Sequence, residues 1–100
     1  MNNITQESDI STEGLCVIKF WASWCGPCKR MEPTILTLEE EFASIKFLSL
    51  NVDDFPNIAN KYSVKTIPTL LILENGKEKN RISGLHLITP LRKIFRELTK

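Results

Sequence analysis

Leu15-Cys16-Val17-Ile18-Lys19-Phe20-Trp21-Ala22-Ser23-Trp24-Cys25-Gly26-Pro27-Cys28-Lys29 is the stretch that decides how this chain folds. Leu15 to Ala22 is almost continuously apolar, the pattern of a strand covered on both faces. The next segment reads as a helix. Pro27 falls in its first turn, where a missing N–H does no harm. Met31, Ile35, Leu38 and Phe42 then repeat at helical spacing, predicting a helix to about Ala43. Pro33, inside it, removes a backbone hydrogen bond and predicts a kink. Cys25 and Cys28 therefore stand at a strand-to-helix junction, with Cys25 where the helix begins. Unpaired N–H groups and the positive end of the helix dipole favour an anion there. The anion of a thiol is its reactive form. Two thiols separated by two residues close a small disulfide ring or help to hold a metal. A structural zinc needs four ligands, and beyond the pair the chain offers only Cys16 and His86, each with its own better explanation. The count favours a redox pair without metal.

Beyond this stretch, Lys46 to Val52 reads as the next strand. Two strands joined by a long helix make a right-handed crossover with parallel strands. Asp54-Phe55-Pro56 opens a short helix that runs through Tyr62. Thr69 to Leu73 is another apolar strand, and Asn75-Gly76 is a strong signal for a two-residue hairpin. Lys77 to Ser83 should then return antiparallel. Thr89-Pro90 supplies an N-cap and a first-turn proline for a last helix, whose buried stripe is Leu91, Ile94, Phe95 and Leu98. At the other end, Asn2-Asn3-Ile4 reads as a vestigial edge strand. Asp9 to Glu13 reads as one or two helical turns stopped by Gly14. The expected fold is α/β, a mixed central sheet with helices on both faces. One domain spans residues 1–100, with 1–14 as an abbreviated N-terminal element.

Composition narrows the function. At 100 residues the chain supports one modest core. Its 42% hydrophobic and 25% charged residues are ordinary for a globular protein. A net charge of +1 provides no large basic field for nucleic acid. No apolar run approaches the roughly 18 residues that span a membrane. Met1 to Ser11 is polar, with no basic residue and no apolar core of a secretory signal, so a reducing cytosol is the expected location. The cysteine count is odd. Cys16, at the start of the apolar strand, is expected to be a small buried hydrophobe with an inert thiol.

Phe20 to Pro33, FWASWCGPCKRMEP, resembles the active-site signature of the thioredoxin family. Lys65-Thr66-Ile67-Pro68-Thr69 resembles that family's cis-proline loop. Glu74-Asn75-Gly76-Lys77, followed by Gly84, resembles its closing hairpin. The resemblance covers about Leu15 to Lys100. It implies the thioredoxin fold and a monomeric protein-disulfide reductase that needs no bound cofactor beyond its own redox-active Cys25–Cys28 disulfide. Cys25, the exposed member, is expected to attack a target disulfide. Cys28, one turn inside the helix, is expected to resolve the mixed disulfide. Gly26 and Pro27 would set the redox poise. Trp24 would form a partly exposed, flat apolar rim for the target, with Trp21 buried. Thr66, Ile67 and Pro68 would face the cysteines, the Ile67 backbone pairing with an extended substrate and Pro68 crowding metals out. Gly84 would line the same groove, a simple bulge being the alternative. The resemblance also implies recycling by a thioredoxin reductase using NADPH. Its typical clients are ribonucleotide reductase, peroxiredoxin and methionine sulfoxide reductase.

One position departs from the family. Where its members usually bury an aspartate beneath the resolving cysteine, this chain has Lys19, and the usual lysine partner corresponds to Ser49. Lys19 either snorkels along the sheet to water or pairs with Glu32, which lies four residues beyond Cys28 on the same helix face. With this change and the shortened N-terminus, two other roles arise: a dedicated redox partner of one client, or a non-catalytic docking subunit using the same fold.

Overall fold

The computed structural model describes residues 2–100. The chain runs β1 (Asn2–Asn3), a single 3-10 turn (Glu7–Asp9), β2 (Leu15–Trp21), α1 (Gly26–Glu41), β3 (Lys46–Asn51), α2 (Pro56–Lys61), β4 (Thr69–Glu74), β5 (Lys77–Ser83) and α3 (Ile88–Leu98). The strands form one sheet in the order β1-β3-β2-β4-β5. β1, β3 and β2 are parallel, whereas β4 pairs antiparallel with both β2 and β5. The apolar run is thus the middle strand, walled in by β3 on one side and β4 on the other.

Alternation along β2 sends successive side chains to opposite faces. Val17 joins Met31, Ile35 and Leu38 of α1 and Leu91 and Phe95 of α3 in one core. Cys16, Ile18 and Phe20 join Ile58 and Ala59 of α2 in the other. Lys19 has the parity of Val17, so it belongs to the face that α1 covers. Helices therefore lie on both faces, as the apolar patterning requires. The Asn75-Gly76 turn takes positive φ at both residues (53° and 82°), the two-residue geometry that suits twisted strands. Asn75 also ties the hairpin to the start of β2: its side-chain oxygen accepts from Gly14 N–H at 2.9 Å, and its own N–H donates to Gly14 C=O at 3.0 Å.

Two expectations about helix ends are corrected. α3 starts at Ile88, with Leu87 at the N-cap and no side chain capping it. Thr89 is therefore not the cap. Pro90 still sits in the first turn, where no intrahelical N–H bond is required, and that tolerance leaves the start ambiguous in sequence. The N-terminal turn lies at Glu7–Asp9, earlier than Asp9–Glu13. Asp9 folds back instead of starting a helix: its carboxylate accepts from Thr5 N–H (2.9 Å), Thr5 Oγ1 (3.1 Å) and Gln6 N–H (3.2 Å). α1 continues unbroken across Pro33.

The end of α1 is tied to α3 by an ion pair in which Arg92 Nε donates to both Glu41 oxygens, at 3.0 and 2.8 Å. The Arg92 hydrogen bond holds the Glu41 carboxyl below its usual range. A carboxyl depressed in the folded state stabilises the fold above its unfolded pKa and loses that contribution as pH falls through the folded one. Arg92→Gln should therefore lower Tm slightly at neutral pH, as surface pairs do. The difference from the parent should shrink to nothing as pH falls below the carboxylate range. Thermal melts across that range check it; a difference independent of pH would exclude the pair as its source.

Candidate active site

The site forms where β2 runs out of partners. After Trp21 the chain passes through Ala22, which is fully buried, and turns: Cys25 N–H donates to Ala22 C=O at 3.1 Å. Cys25 is the N-cap of α1, with extended backbone angles (φ −89°, ψ 103°). Gly26 and Pro27 are the first two helical residues, so the proline takes a place where its absent N–H is not missed. Cys28 N–H donates to Cys25 Sγ at 3.1 Å. A sulfur thus takes the place of a capping oxygen, and a backbone donor is already aimed at it. No acidic residue lies in this first turn to oppose a negative charge.

Cys25 and Cys28 are joined as a disulfide, Cα to Cα 5.3 Å. The expected contrast in their exposure is not seen: Cys25 is 4% and Cys28 2% exposed. Both cysteines face inward, where they pack with Ala22 against Trp21, Val52 and Ile67. What separates the two is their place at the helix end. Cys16 is fully buried on the opposite face of β2 and is free. Burial pushes its thiol up from the ordinary range, which keeps it protonated.

Ile67 packs on the disulfide, and the Ile67–Pro68 bond is cis. Thr66 is exposed, and its carbonyl accepts from Thr69 Oγ1 at 2.7 Å. Pro68 C=O accepts from Gly84 N–H at 2.8 Å, so Gly84 is held against this loop. Gly84 is not a bulge, because the β4–β5 register shift lies at Ile72/Leu73. It is a glycine at φ +88°, a backbone state other residues avoid. Trp21, expected to be buried, is only partly so, and Trp24 is 70% exposed. Its indole is held, because Nε1 donates to Asp53 Oδ2 at 2.9 Å. Sequence reasoning misses Asp53. The signal for it is the acidic pair Asp53-Asp54 directly after β3, at the sheet edge where β2 also ends. Leu85 and Leu87 extend the apolar surface beyond Gly84 (47% and 75% exposed).

Beneath the ring, Lys19 is only 3% exposed, and its Nζ is ion-paired with Glu32. The lysine does not snorkel to water; α1 covers it and supplies the carboxylate. Lys19, Cys28, Glu32, Trp21, Lys29, Ser49 and Asn3 line a cleft of about 430 Å³ beside the disulfide. The Trp21 indole N–H is buried there without a hydrogen-bond partner. Among the described residues, no three His, Cys, Asp or Glu side chains converge as a metal site would need. His86 Nδ1 lies 3.0 Å from Gly84 C=O. No helix of the described residues is long and apolar enough to cross a membrane.

Comparison with known proteins matches residues 2–97 to the Thioredoxin family model. The chain belongs to the thioredoxin family. Thioredoxin of Chlamydia caviae is 46% identical over 72 residues, 72% of this chain and 71% of the relative. Thioredoxin of Mycoplasma genitalium is 37% identical over 89 residues, 89% of this chain and 87% of the relative. The X-ray structure of Fasciola hepatica thioredoxin superposes with a TM-score of 0.88 at 33% identity, covering 97% of this chain and 98% of that one. This thioredoxin-family protein is a thiol–disulfide oxidoreductase, and its chemistry is dithiol–disulfide exchange.

The pairing of Lys19 and Glu32 has an energetic signature. Removing Glu32 leaves the buried Lys19 ammonium without its partner carboxylate. Glu32→Gln should destabilise the fold more than the double change Lys19→Met/Glu32→Gln does. Denaturant melts of a double-mutant cycle should give a coupling energy above about 0.5 kcal/mol, beyond the scatter of independent sites. A smaller value would mean that the two side chains do not depend on each other.

Proposed function

We propose that Cys25 is the attacking thiol and Cys28 the resolving thiol of a general protein-disulfide reductase. The carrying observation is the N-cap: the Cys28 N–H points at Cys25 Sγ from a helix start free of acidic residues. Such a donor strengthens its bond when the sulfur becomes negative, so the thiolate is favoured at Cys25. The thiolate attacks one sulfur of a target disulfide, and the other target sulfur leaves with the electron pair. Cys28 then attacks Cys25 Sγ, the Cys25–target bond breaks, and the target departs as a dithiol. Two electrons pass to the target, and the Cys25–Cys28 disulfide remains.

Trp24, Thr66, Ile67, Pro68 and Gly84 form the groove that receives the target. The support is that Ile67 packs on the two cysteines, Gly84 is bonded to Pro68 of the same loop, and Trp24, next to Cys25 in the chain, is exposed. An extended segment laid there meets the Ile67 backbone as an added strand would. Gly26 and Pro27 shape the ring between the two sulfurs. A thioredoxin reductase returns the disulfide to the dithiol with electrons from NADPH. Ribonucleotide reductase, peroxiredoxin and methionine sulfoxide reductase represent the client class. The protein acts as one domain and as a monomer in the cytosol, without nucleic acid, membrane or bound metal. A dedicated role with one client is the second reading, motivated by the Lys19–Glu32 pair in place of the family's usual aspartate.

Reduction of a generic disulfide protein, with and without a thioredoxin reductase and NADPH, separates these readings. A general reductase turns over only with the recycling system present. A single-client protein leaves the generic substrate untouched. Cys25→Ser should abolish turnover. Cys28→Ser should trap the target as a mixed disulfide, visible by mass spectrometry. A covalent complex from Cys25→Ser and none from Cys28→Ser would reverse the assignment.

A further inference from the structure

We infer that Glu32 is the proton acceptor for Cys28 during resolution and that Lys19 is the positioning residue that holds it there. The inference rests on the reading of Cys28 as the resolving thiol. In the mixed disulfide, Cys28 must lose a proton before it attacks, and an ordinary thiol is largely protonated at neutral pH. Cys28 is 2% exposed in the closed ring and sits inside the first turn of α1, a backbone position that opening the ring leaves in place, so bulk water has poor access to it. A protein group must take the proton.

The cleft beside Cys28 offers few candidates. Lys19 from β2 and Lys29 from α1 carry ammonium groups, which donate but do not accept. Ser49 from β3 and Asn3 from β1 are neutral and weakly basic. Glu32 is the one carboxylate among these lining groups. It lies four residues from Cys28 on α1, so the two side chains are neighbours on one helix face. Its position is not left to chance, because Lys19, a residue 3% exposed, binds its carboxylate through Nζ. Its other side is open: the Glu32 side chain is 45% exposed. The group therefore reaches from a buried thiol to solvent, and a proton taken from Cys28 leaves without crossing the core.

The step balances. The Cys28 S–H bond breaks, its proton passes to the Glu32 carboxylate, and the sulfur electron pair forms the bond to Cys25 Sγ. The Cys25–target bond breaks, and its electron pair leaves on the target sulfur. That thiolate takes the proton from Glu32, or takes one from water while Glu32 releases its own to solvent; either way the carboxylate is restored. Lys19 stays charged throughout. It anchors the carboxylate and opposes any approach of a second cation.

Quenched-flow reaction of the reduced protein with a disulfide protein, read by mass spectrometry, follows formation and decay of the mixed disulfide separately. Glu32→Gln should let the mixed disulfide accumulate and slow its decay about tenfold or more at about pH 7, within the range of a lost general base. The deficit should close as pH rises past about 8.5, where an ordinary thiol ionises unaided. Lys19→Met should slow decay in the same direction, and Lys19→Arg should recover most of it. Lys19→Met/Glu32→Gln removes the stranded charge and should regain stability, yet remain as slow as Glu32→Gln. Decay of Glu32→Gln at the parent rate, a deficit equal at every pH, or recovery of rate in the double variant would each overturn the proposal. If Cys28→Ser accumulates no mixed disulfide, the resolving role of Cys28 falls, and this proposal with it. Accumulation in Cys28→Ser alongside an unslowed Glu32→Gln overturns this proposal alone.

Discussion

The structure depends on β2 being enclosed on every side. β3 and β4 pair with its two edges, and α1, α2 and α3 bury its two faces. Such a strand has no solvent-facing side that could take an unpaired polar group. Its backbone groups are satisfied only while both neighbours continue, and both pairings end within one residue of each other, at Phe20 and Trp21. The chain must then leave the sheet, and α1 begins at Gly26 with the N–H groups of its first turn unpaired along the helix. The reactive disulfide sits at this exit because buried framework and helix-end donors meet there.

The same enclosure explains the most unusual residue. A charge at Lys19 cannot reach water along a strand covered by α1, and an isolated buried ammonium is costly. Glu32 supplies the compensation from α1, whose face toward β2 is set by the buried Met31, Ile35 and Leu38. Cys28, one turn before Glu32, is thereby held over the same cleft. A compensated charge in the sheet and a carboxylate lining the cleft beside Cys28 are in this way one contact.

Much of this is legible in the sequence because the signals are local or periodic. The apolar run of β2, the helical repeat of α1 and the Asn75-Gly76 turn each carry their own geometry. Lys19 and Glu32 are also readable as a pair, since strand parity and helical spacing both bring them to one interface. Other features escape for physical reasons. The start of α3 is blurred because proline is tolerated throughout a first turn. Asp9 has the composition of a helix start, whereas its carboxylate closes a turn on Thr5 and Gln6. The bond from Trp24 to Asp53 joins two loops distant in sequence, and no periodicity announces it. The near-equal burial of the two cysteines goes with the packing of Ile67 on them, a contact between segments about 40 residues apart.

Position at the end of β2, rather than exposure, distinguishes the two sulfurs of this thioredoxin-family protein. The most direct measurement is the alkylation rate of each cysteine in the reduced protein as a function of pH, resolved by mass spectrometry of the separated peptides. Cys25 should be modified fastest and reach its half-maximal rate at the lowest pH, with Cys28 behind it and Cys16 last. Alkylation of Cys28 ahead of Cys25, or all three cysteines titrating together as free thiols do, would contradict this distinction.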